Sequence, residues 1–221
     1  YQLSDELEKF LHEMGIVGDA WEKLFDETIA GLEFSLDDQI LNLESTLNLL
    51  TDHDRSKRKA GAQEIAKIFS KNLKIFARIH NTQAKEKEII DKWRGMPSAQ
   101  FGRHLANDVE PEVVEALRNA VVASYPDLSH RYYELKRKWM GLDHLEVWDR
   151  NAPLPMESNQ TIAWSDAQTL VLDAYSGFDP RMEELAKPFF SKGWIDAAVK
   201  PGKAPGAFAH PTVTNVHPYI M

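Results

Sequence analysis

The chain has 221 residues, of which 43% are apolar and 27% are charged, and its formal net charge is -8. This acidic balance argues against a nucleic-acid-binding protein, because binding to phosphates requires a basic face. The sequence contains no cysteine, which excludes a disulfide framework, a thiol nucleophile and a cysteine-ligated zinc site.

The predicted elements begin with a helix from Ser4 to Met14, which Ser4 caps and which Gly15 and Gly18 end. The next stretch, residues 20–34, fits either a helix or an irregular piece with a short strand at its end. Residues 35–38 have the S-x-x-D form of a capping box. This box predicts the start of a helix whose single apolar face is formed by Ile40, Leu43, Leu47 and Leu50.

The strongest helical signal runs from Asp52 to Arg94. Apolar residues recur there at steps of three and four, and the stripe includes Ala62, Ile65, Ala66, Phe69, Leu73 and Phe76. Gly61 is the one weak position, costing ~1 kcal/mol relative to alanine. A helix of this length needs partners on more than one side, which predicts a helical bundle.

Glycine and proline divide the rest of the chain. Gly95, Pro97 and Gly102 interrupt the helical pattern, and further helices are predicted at residues 111–124, 126–139, 165–175 and 180–191. The closing stretch, residues 206–221, alternates and predicts a strand. We therefore expect a mainly α fold, a helical bundle with a small β element at its C-terminal end. The helical region would cover residues 1–192, and a strand and loop region would cover residues 193–221.

Eight histidines invite a search for a metal site. The zinc-binding pattern H-E-x-x-H needs a second His four residues after the first, and the His-Glu pair at residues 12–13 lacks it. His130 and Glu134 are four apart on a predicted helix, where a surface pair or a hydrogen-bonded buried His is favoured over a shared metal. His210 and His217 are seven apart, which places them on opposite faces of a regular strand. No metal ligand or catalytic residue is therefore assigned.

Other polar and aromatic clusters are interpreted as structural. Residues 52–54, Asp-His-Asp, lie where a helix begins and predict a cap. The basic cluster that follows, Arg55, Lys57, Arg58 and Lys59, predicts a solvated face. Asp149 and Arg150 are expected to be exposed or to pair locally. The aromatic residues Tyr132, Tyr133 and Trp139 are expected in the core rather than in a substrate pocket.

Three stretches carry a resemblance to a known family. They are HRYYELKRKWMGLDHLEVWDRNAPL at residues 130–154, YSGFDPRMEELAKPFFSKGWIDAAVKPGKAPGAFAHP at residues 175–211, and HPYIM at residues 217–221. In this order and spacing they resemble the oligoendopeptidase F family of zinc metallopeptidases, relatives of thimet oligopeptidase. The resemblance extends over nearly all of the chain and is most specific from His130 onward.

The resemblance implies a helical shell around a deep channel that admits short, unfolded peptides. It also implies a zinc cofactor, whose H-E-x-x-H helix would follow a strand of the P-Y-I-M type and so would lie beyond Met221. Residues 193–221 would then begin the catalytic domain and border its cleft. The substrate-binding candidates are Gly206, Ala207, Phe208, His210, His217 and Tyr219, because a strand edge with small residues can hold an extended peptide.

These expectations describe a segment of an enzyme rather than the whole. We expect the 221-residue chain alone to be inactive and to bind no catalytic zinc. The alternative is a non-catalytic helical module that binds peptides or other partners. The sequence shows no signal peptide and no apolar run near the roughly 20 residues that span a bilayer, which predicts a cytoplasmic location. Exposed apolar residues near Val213, Val216 and Ile220 predict self-association through the C-terminal strand.

Overall fold

The computed structural model describes residues 1–155, 161–200, 203 and 206–221. The chain divides into two compact units, Tyr1–Pro155 and Met156–Met221. The boundary lies 37 residues before the one predicted at residue 192, and the assignment of residues 193–221 to a catalytic domain stays a prediction. The predicted mainly helical fold with small β elements is confirmed.

The first unit is built from helices joined by short connections. The helices are α1 (Asp5–Ala30), α2 (Leu43–Asn48), α3 (Arg55–Lys71), α4 (Leu73–Arg94), α5 (Phe101–Ala106), α6 (Pro111–Ser124) and α7 (Arg131–Trp139). Strands β1 (Phe34–Leu36) and β2 (Gln39–Leu41) form an antiparallel hairpin between α1 and α2. Single turns of 3-10 helix cover Leu49–Thr51 and Val147–Asp149, and a π-type turn covers Pro126–His130.

Helix α1 passes straight through the two glycines that were predicted to end it. This prediction is wrong because packing against α4 outweighs the modest helix penalty of glycine, roughly 1 kcal/mol per residue. At Gly18 an added Cβ would lie 3.3 Å from the carboxylate of Glu86, so this glycine allows a close approach between the helices. At the C-terminal end of α4, Arg94 makes two hydrogen bonds of 2.7 Å to the carboxylate of Glu8.

The predicted capping box is a hairpin turn instead. Asp37 and Asp38 have φ angles of 49° and 60° and occupy the two-residue turn between Leu36 and Gln39, which face each other in the ladder. Short polar side chains tolerate this left-handed backbone, so aspartate can serve where Asn-Gly is usual. Helix α2 begins only after Asn42, whose side chain accepts a hydrogen bond from the backbone N–H of Ser45 at 2.9 Å.

The long helix predicted from Asp52 to Arg94 is two helices. Asn72 leaves the helical conformation at φ −98° and ψ 4°, and its side-chain amide donates to the carbonyl of Ile68 at 3.0 Å. Part of the predicted apolar stripe faces the core, where Ile29, Leu32 and Phe34 are buried and pack against Leu41, Leu43, Ile65, Ile68, Phe69 and Phe76. Leu73 of the stripe is instead 64% exposed.

The later helices of the first unit mostly follow the sequence signals. Helix α6 has the predicted bounds, and Gly141 after α7 has a φ of 64°. A short helix, α5, forms within the stretch that was expected to be irregular. Tyr132 is 44% exposed and Trp139 is 45% exposed, so the expectation that both lie in the core is wrong.

The second unit contains two packed helices and a small sheet. Helices α8 (Trp164–Phe178) and α9 (Pro180–Ser191) are followed by strands β3 (Ala209–His210) and β4 (Tyr219–Ile220). The predicted single closing strand is thus a hairpin, because Thr212 and Asn215 adopt φ angles of 61° and 71° and turn the chain back. Among the described residues, no helix has the length and apolar character needed to cross a membrane.

Candidate functional site

The C-terminal hairpin belongs to a three-stranded arrangement with β4 at its centre. On one side of β4, the N–H of Ile220 donates to the carbonyl of Trp194 and its carbonyl accepts from Asp196, both at 2.9 Å. On the other side, Met221 exchanges two hydrogen bonds with Phe208, of 2.8 and 2.9 Å. Strand β4 is therefore bonded on both sides, and β3 is the outer strand of the pair.

The outer side of β3 presents backbone groups for a further strand. Phe208 and Met221 form a hydrogen-bonded pair of the antiparallel ladder, and Ala209 faces Ile220 in the next, non-bonded position. In such a ladder the backbone groups of alternate residues point away from the partner strand. The N–H and C=O of Ala209 are thus directed outward, and Ala207, two residues before, follows the same alternation. Both alanines are exposed, and their small side chains allow another backbone to approach.

The two faces of this sheet differ in chemistry. His210 stacks on Tyr219, with ring centroids 5.6 Å apart, and Phe208 meets Tyr219 edge-on at 5.8 Å. Ala209 and Ile220 lie on the opposite face, because facing residues of a ladder share a face. That face covers an apolar cavity of about 290 Å³, lined by residues that include Met182, Leu185, Phe189, Phe190, Ile195 and Ile220.

Hydrogen bonds to the two histidines of the hairpin fix their neutral tautomers. The backbone N–H of Thr212 donates to Nδ1 of His210 at 2.9 Å, so the proton of the neutral ring is on Nε2. His217 is the reverse case, because its Nδ1 lies 2.9 Å from the carbonyl of Pro218 and must donate. His217 stacks in parallel on Trp194 at 4.3 Å, and the ammonium of Lys192 also lies over the Trp194 ring, at 5.4 Å.

The structure brings together part of the predicted substrate-binding set. Phe208, His210 and Tyr219 form one aromatic cluster beside the strand edge. Gly206, with a φ of 115°, and Ala207 lead into β3, whereas His217 packs away from this cluster on Trp194. The role of all six residues in binding substrate stays a prediction. Within the described part of the chain, no group of three or more His, Asp or Glu side chains could hold a metal ion.

The first unit contains a buried charge cluster that the sequence interpretation missed. The carboxylate of Asp149 is fully buried and accepts hydrogen bonds from Nη2 of Arg55 at 2.7 Å and from Nη2 of Arg58 at 3.0 Å. Burial raises the pKa of Asp149, but hydrogen bonds from Arg55, the Glu146 N–H and Arg58 outweigh it and lower the pKa to about 2. The prediction that Asp149 is exposed is therefore wrong, and its local pairing with the backbone N–H of Glu146 is only part of its contacts.

The basic cluster at the start of α3 is only partly the predicted solvated face. Arg58 is 2% exposed and also donates from Nη1 to the carbonyls of Asp52 and His53, at 2.8 and 3.0 Å. Lys57 remains at the surface beside Asp52, and Lys59 lies over the ring of Trp148. No local spacing could reveal the Arg55–Asp149 pair, because 94 residues separate its members.

A second buried cation stabilises the segment around Asp149. Lys136 of α7 is 3% exposed, and its ammonium donates to the carbonyls of Arg150 and Ala152 at 2.9 and 2.6 Å. Together with Asp149, it ties residues 146–152 to helices α3 and α7. The buried groups of the cluster have hydrogen-bond partners within the first unit, so we interpret it as a structural clasp and not as a binding site.

The other polar residues singled out in the sequence make contacts with residues close to them in the chain. The cap predicted at residues 52–54 is confirmed, since the side chain of Asp54 accepts from the backbone N–H of Ser56 at 2.8 Å. Glu134 pairs with Arg137 at 2.7 Å, and this hydrogen bond lowers the pKa of Glu134 to about 2. His130 instead packs near Tyr125, which favours the surface interpretation of the His130–Glu134 pair.

Comparisons with curated proteins identify bacterial oligopeptidases as relatives. The chain is 27% identical over 163 residues to the group B oligopeptidase PepB of Streptococcus agalactiae serotype III (strain NEM316), covering 74% of this chain and 27% of that protein. It is 22% identical over 175 residues to the oligopeptidase PepF of Bacillus subtilis (strain 168), covering 79% of this chain and 26% of that protein. The chain thus spans about a quarter of the length of these relatives. No protein-family model matches it.

Solved structures show the same fold. A protein from Bacillus anthracis str. Ames, assigned to oligoendopeptidase F, superposes with a TM-score of 0.83 at 19% identity, covering 99% of this chain and 40% of that one. PZ peptidase A gives a TM-score of 0.81 at 17% identity, covering 92% of this chain and 37% of that one. The resemblance to oligoendopeptidase F that the sequence predicted is confirmed.

Proposed function

We propose that this chain forms the helical wall and a peptide-binding strand edge of a zinc-dependent oligoendopeptidase that hydrolyses short peptides. The observation that carries the proposal is the outward-facing edge of β3 at Ala207 and Ala209. The similarity to PepB and PepF, two oligopeptidases, supports peptides as the ligand class. The location in the cytoplasm belongs to the same proposal.

The residues of this chain would bind and orient the peptide. An extended peptide placed beside β3 donates to and accepts from the backbone of Ala209 and continues the sheet by one strand. These contacts involve only backbone groups of the peptide, so they do not depend on its side chains. Since strand addition needs a peptide without structure of its own, folded proteins would be poor ligands.

Zinc enters this proposal through the family resemblance alone. The described residues do not assemble a metal site, so they do not fit the ion and no step of hydrolysis is assigned to them. The metal ligands would have to come from residues other than those that the structure describes. The proposal for the chain itself is therefore limited to peptide binding and to shaping the cleft.

The test removes a single outward donor from the edge. In the variant Ala209→Pro the N–H of residue 209 is lost, while Ala209→Val keeps that N–H and adds a side chain suited to strands. We expect an unstructured octapeptide to shift the amide resonances of residues 207 and 209 in the unmodified chain. The same peptide should bind Ala209→Val but bind Ala209→Pro at least about tenfold more weakly, the effect of losing roughly 1.5 kcal/mol of hydrogen bonding.

The test has two controls. Circular dichroism must show that both variants retain the helical content of the parent, because a folding defect would imitate lost binding. A peptide that is N-methylated at alternate residues should also lose affinity when its donors face β3. Equal affinity of all three proteins, or peptide shifts confined to the helices of the first unit, would contradict the proposal.

A further inference from the structure

The stacked pair of Tyr219 and His210 is a cross-strand ladder that ends at the open edge. Tyr219 on β4 and His210 on β3 face each other directly in the register. Their rings stack with an interplanar angle of 23° and a centroid distance of 5.6 Å. One face of the imidazole is covered by Tyr219, and the other face is directed across β3 toward the outer side of the sheet.

The imidazole is held in this position by the turn that follows it. The backbone N–H of Thr212 donates to Nδ1 of His210 at 2.9 Å. The hydroxyl of Thr212 lies 3.1 Å from both carbonyls of the returning strand, those of Val216 and His217. The left-handed backbone of Thr212, with a φ of 61°, places these groups together. His210 is exposed although these contacts hold its ring in place.

We propose that the peptide residue that lies opposite His210 carries an aromatic side chain, which stacks on the outer face of the imidazole and extends the ladder by one ring. This inference rests on the proposed function, because it requires a peptide bound along β3. Side chains of directly opposite residues in neighbouring strands lie about 4.5–5.5 Å apart at Cβ, close enough for rings to stack as those of His210 and Tyr219 do. The substrate class is therefore extended peptides with an aromatic residue at one fixed position.

The surroundings favour a flat ring over a branched aliphatic side chain at this position. The ring of Phe208 stands on the same face and meets Tyr219 edge-on, so Phe208, His210 and Tyr219 together present an aromatic surface on that face. Offset-stacked and edge-to-face pairs are more favourable than the area they bury would suggest. The opposite face of the sheet offers aliphatic residues around Ile220 and Ile195, which cannot supply the same contacts.

The experiment compares peptides that differ in one side chain. A set of acetylated, amidated octapeptides of alternating alanine and serine carries a single Phe at successive positions, and a second set carries Leu instead. Binding to the 221-residue chain is followed by NMR at two sets of signals. The amides of Ala207 and Ala209 report addition of a strand, and the ring protons of His210 report stacking through upfield ring-current shifts.

The expected result is a preference that depends on position. At one position Phe should bind about fivefold more tightly than Leu, in line with a single aromatic pair, and should shift the His210 ring protons upfield. The variant His210→Asn should abolish this preference, since its amide oxygen can still accept from Thr212 but offers no ring. The matched variant His12→Asn, which makes the same change on the exposed surface of α1, should retain it.

The two proposals fail in different ways. Shifts at Ala207 and Ala209 without a Phe preference, or a preference that survives His210→Asn, overturn the aromatic contact and leave the binding edge in place. Absence of shifts at the edge with every peptide overturns the proposed function and the aromatic contact together.

Discussion

The carboxylate of Asp149 pairs with two guanidinium groups from a helix that begins 94 residues earlier in the sequence. Arg58 has no route to solvent, since it is 2% exposed and its other hydrogen bonds go to backbone carbonyls. The side chain of Arg55 is 42% exposed and could be hydrated without its partner. Loss of the carboxylate charge would therefore destabilise the fold mainly by leaving the buried guanidinium of Arg58 without a counterion.

We expect Asp149→Asn to destabilise the first unit by about 3 kcal/mol, because removing one partner of a buried ion pair leaves the other uncompensated. Asparagine keeps the shape of the side chain, so a packing defect would not explain the loss. Urea unfolding followed by circular dichroism measures the change. The control Asp19→Asn, on the exposed surface of α1, should change the free energy of unfolding by less than about 0.5 kcal/mol.

The same variant should alter the dependence of stability on pH. The pKa of Asp149 is lowered from 3.8 to about 2 in the folded protein, so its contribution is present above the unfolded pKa and is lost as pH falls toward 2. Asp149→Asn should therefore lose less stability than the parent between pH 4 and pH 2. Parallel profiles for parent and variant would show that folding does not lower the pKa of Asp149.

At the scale of elements, glycine was the least reliable signal in the sequence. Gly15 and Gly18 lie inside α1, whereas Gly95 ends α4 in the left-handed conformation with a φ of 64°. The sequence shows the same residue in both cases, and only the neighbouring helix decides between them. The Asp37–Asp38 turn was missed because residues 35–38 match a capping box and lack the Asn-Gly or Asp-Gly pair that is typical of a two-residue hairpin.

This distinction predicts opposite effects of one substitution. Gly15→Ala should stabilise the chain by roughly 0.5–1 kcal/mol, because no atom lies within 4 Å of the added Cβ and alanine favours a helix interior. Gly95→Ala should destabilise it by about 1 kcal/mol, since its φ of 64° is unfavourable for a residue with a Cβ. Thermal unfolding measures both, and a stabilising Gly95→Ala would show that α4 does not end as described.

At the scale of the whole molecule, local signals and distant contacts were predictable to different degrees. Periodicity and proline positions predicted the mainly helical fold and located α6 and α9 closely, because those signals act over a few residues. The sequence analysis named Phe208, His210 and Tyr219 as candidates, but it did not predict the hairpin that brings their rings together. The clasp around Asp149 could not be predicted, since it joins segments that no periodicity relates.

Large apolar side chains are exposed in the C-terminal hairpin, where Val213 and Val216 are 71% and 51% exposed. Apolar side chains beside an open strand edge are a combination that promotes pairing between chains.

We therefore expect the 221-residue chain to self-associate through the C-terminal hairpin at high concentration. The double variant Val213→Lys and Val216→Lys should weaken association by at least about tenfold, because charge beside an open edge opposes strand pairing. The matched variant Val113→Lys and Leu117→Lys places the same charges on α6, where both residues are also exposed but no strand edge is present. Sedimentation velocity over a range of concentrations measures the effect. If the α6 variant dissociates the chain and the hairpin variant does not, helix packing rather than strand pairing drives association.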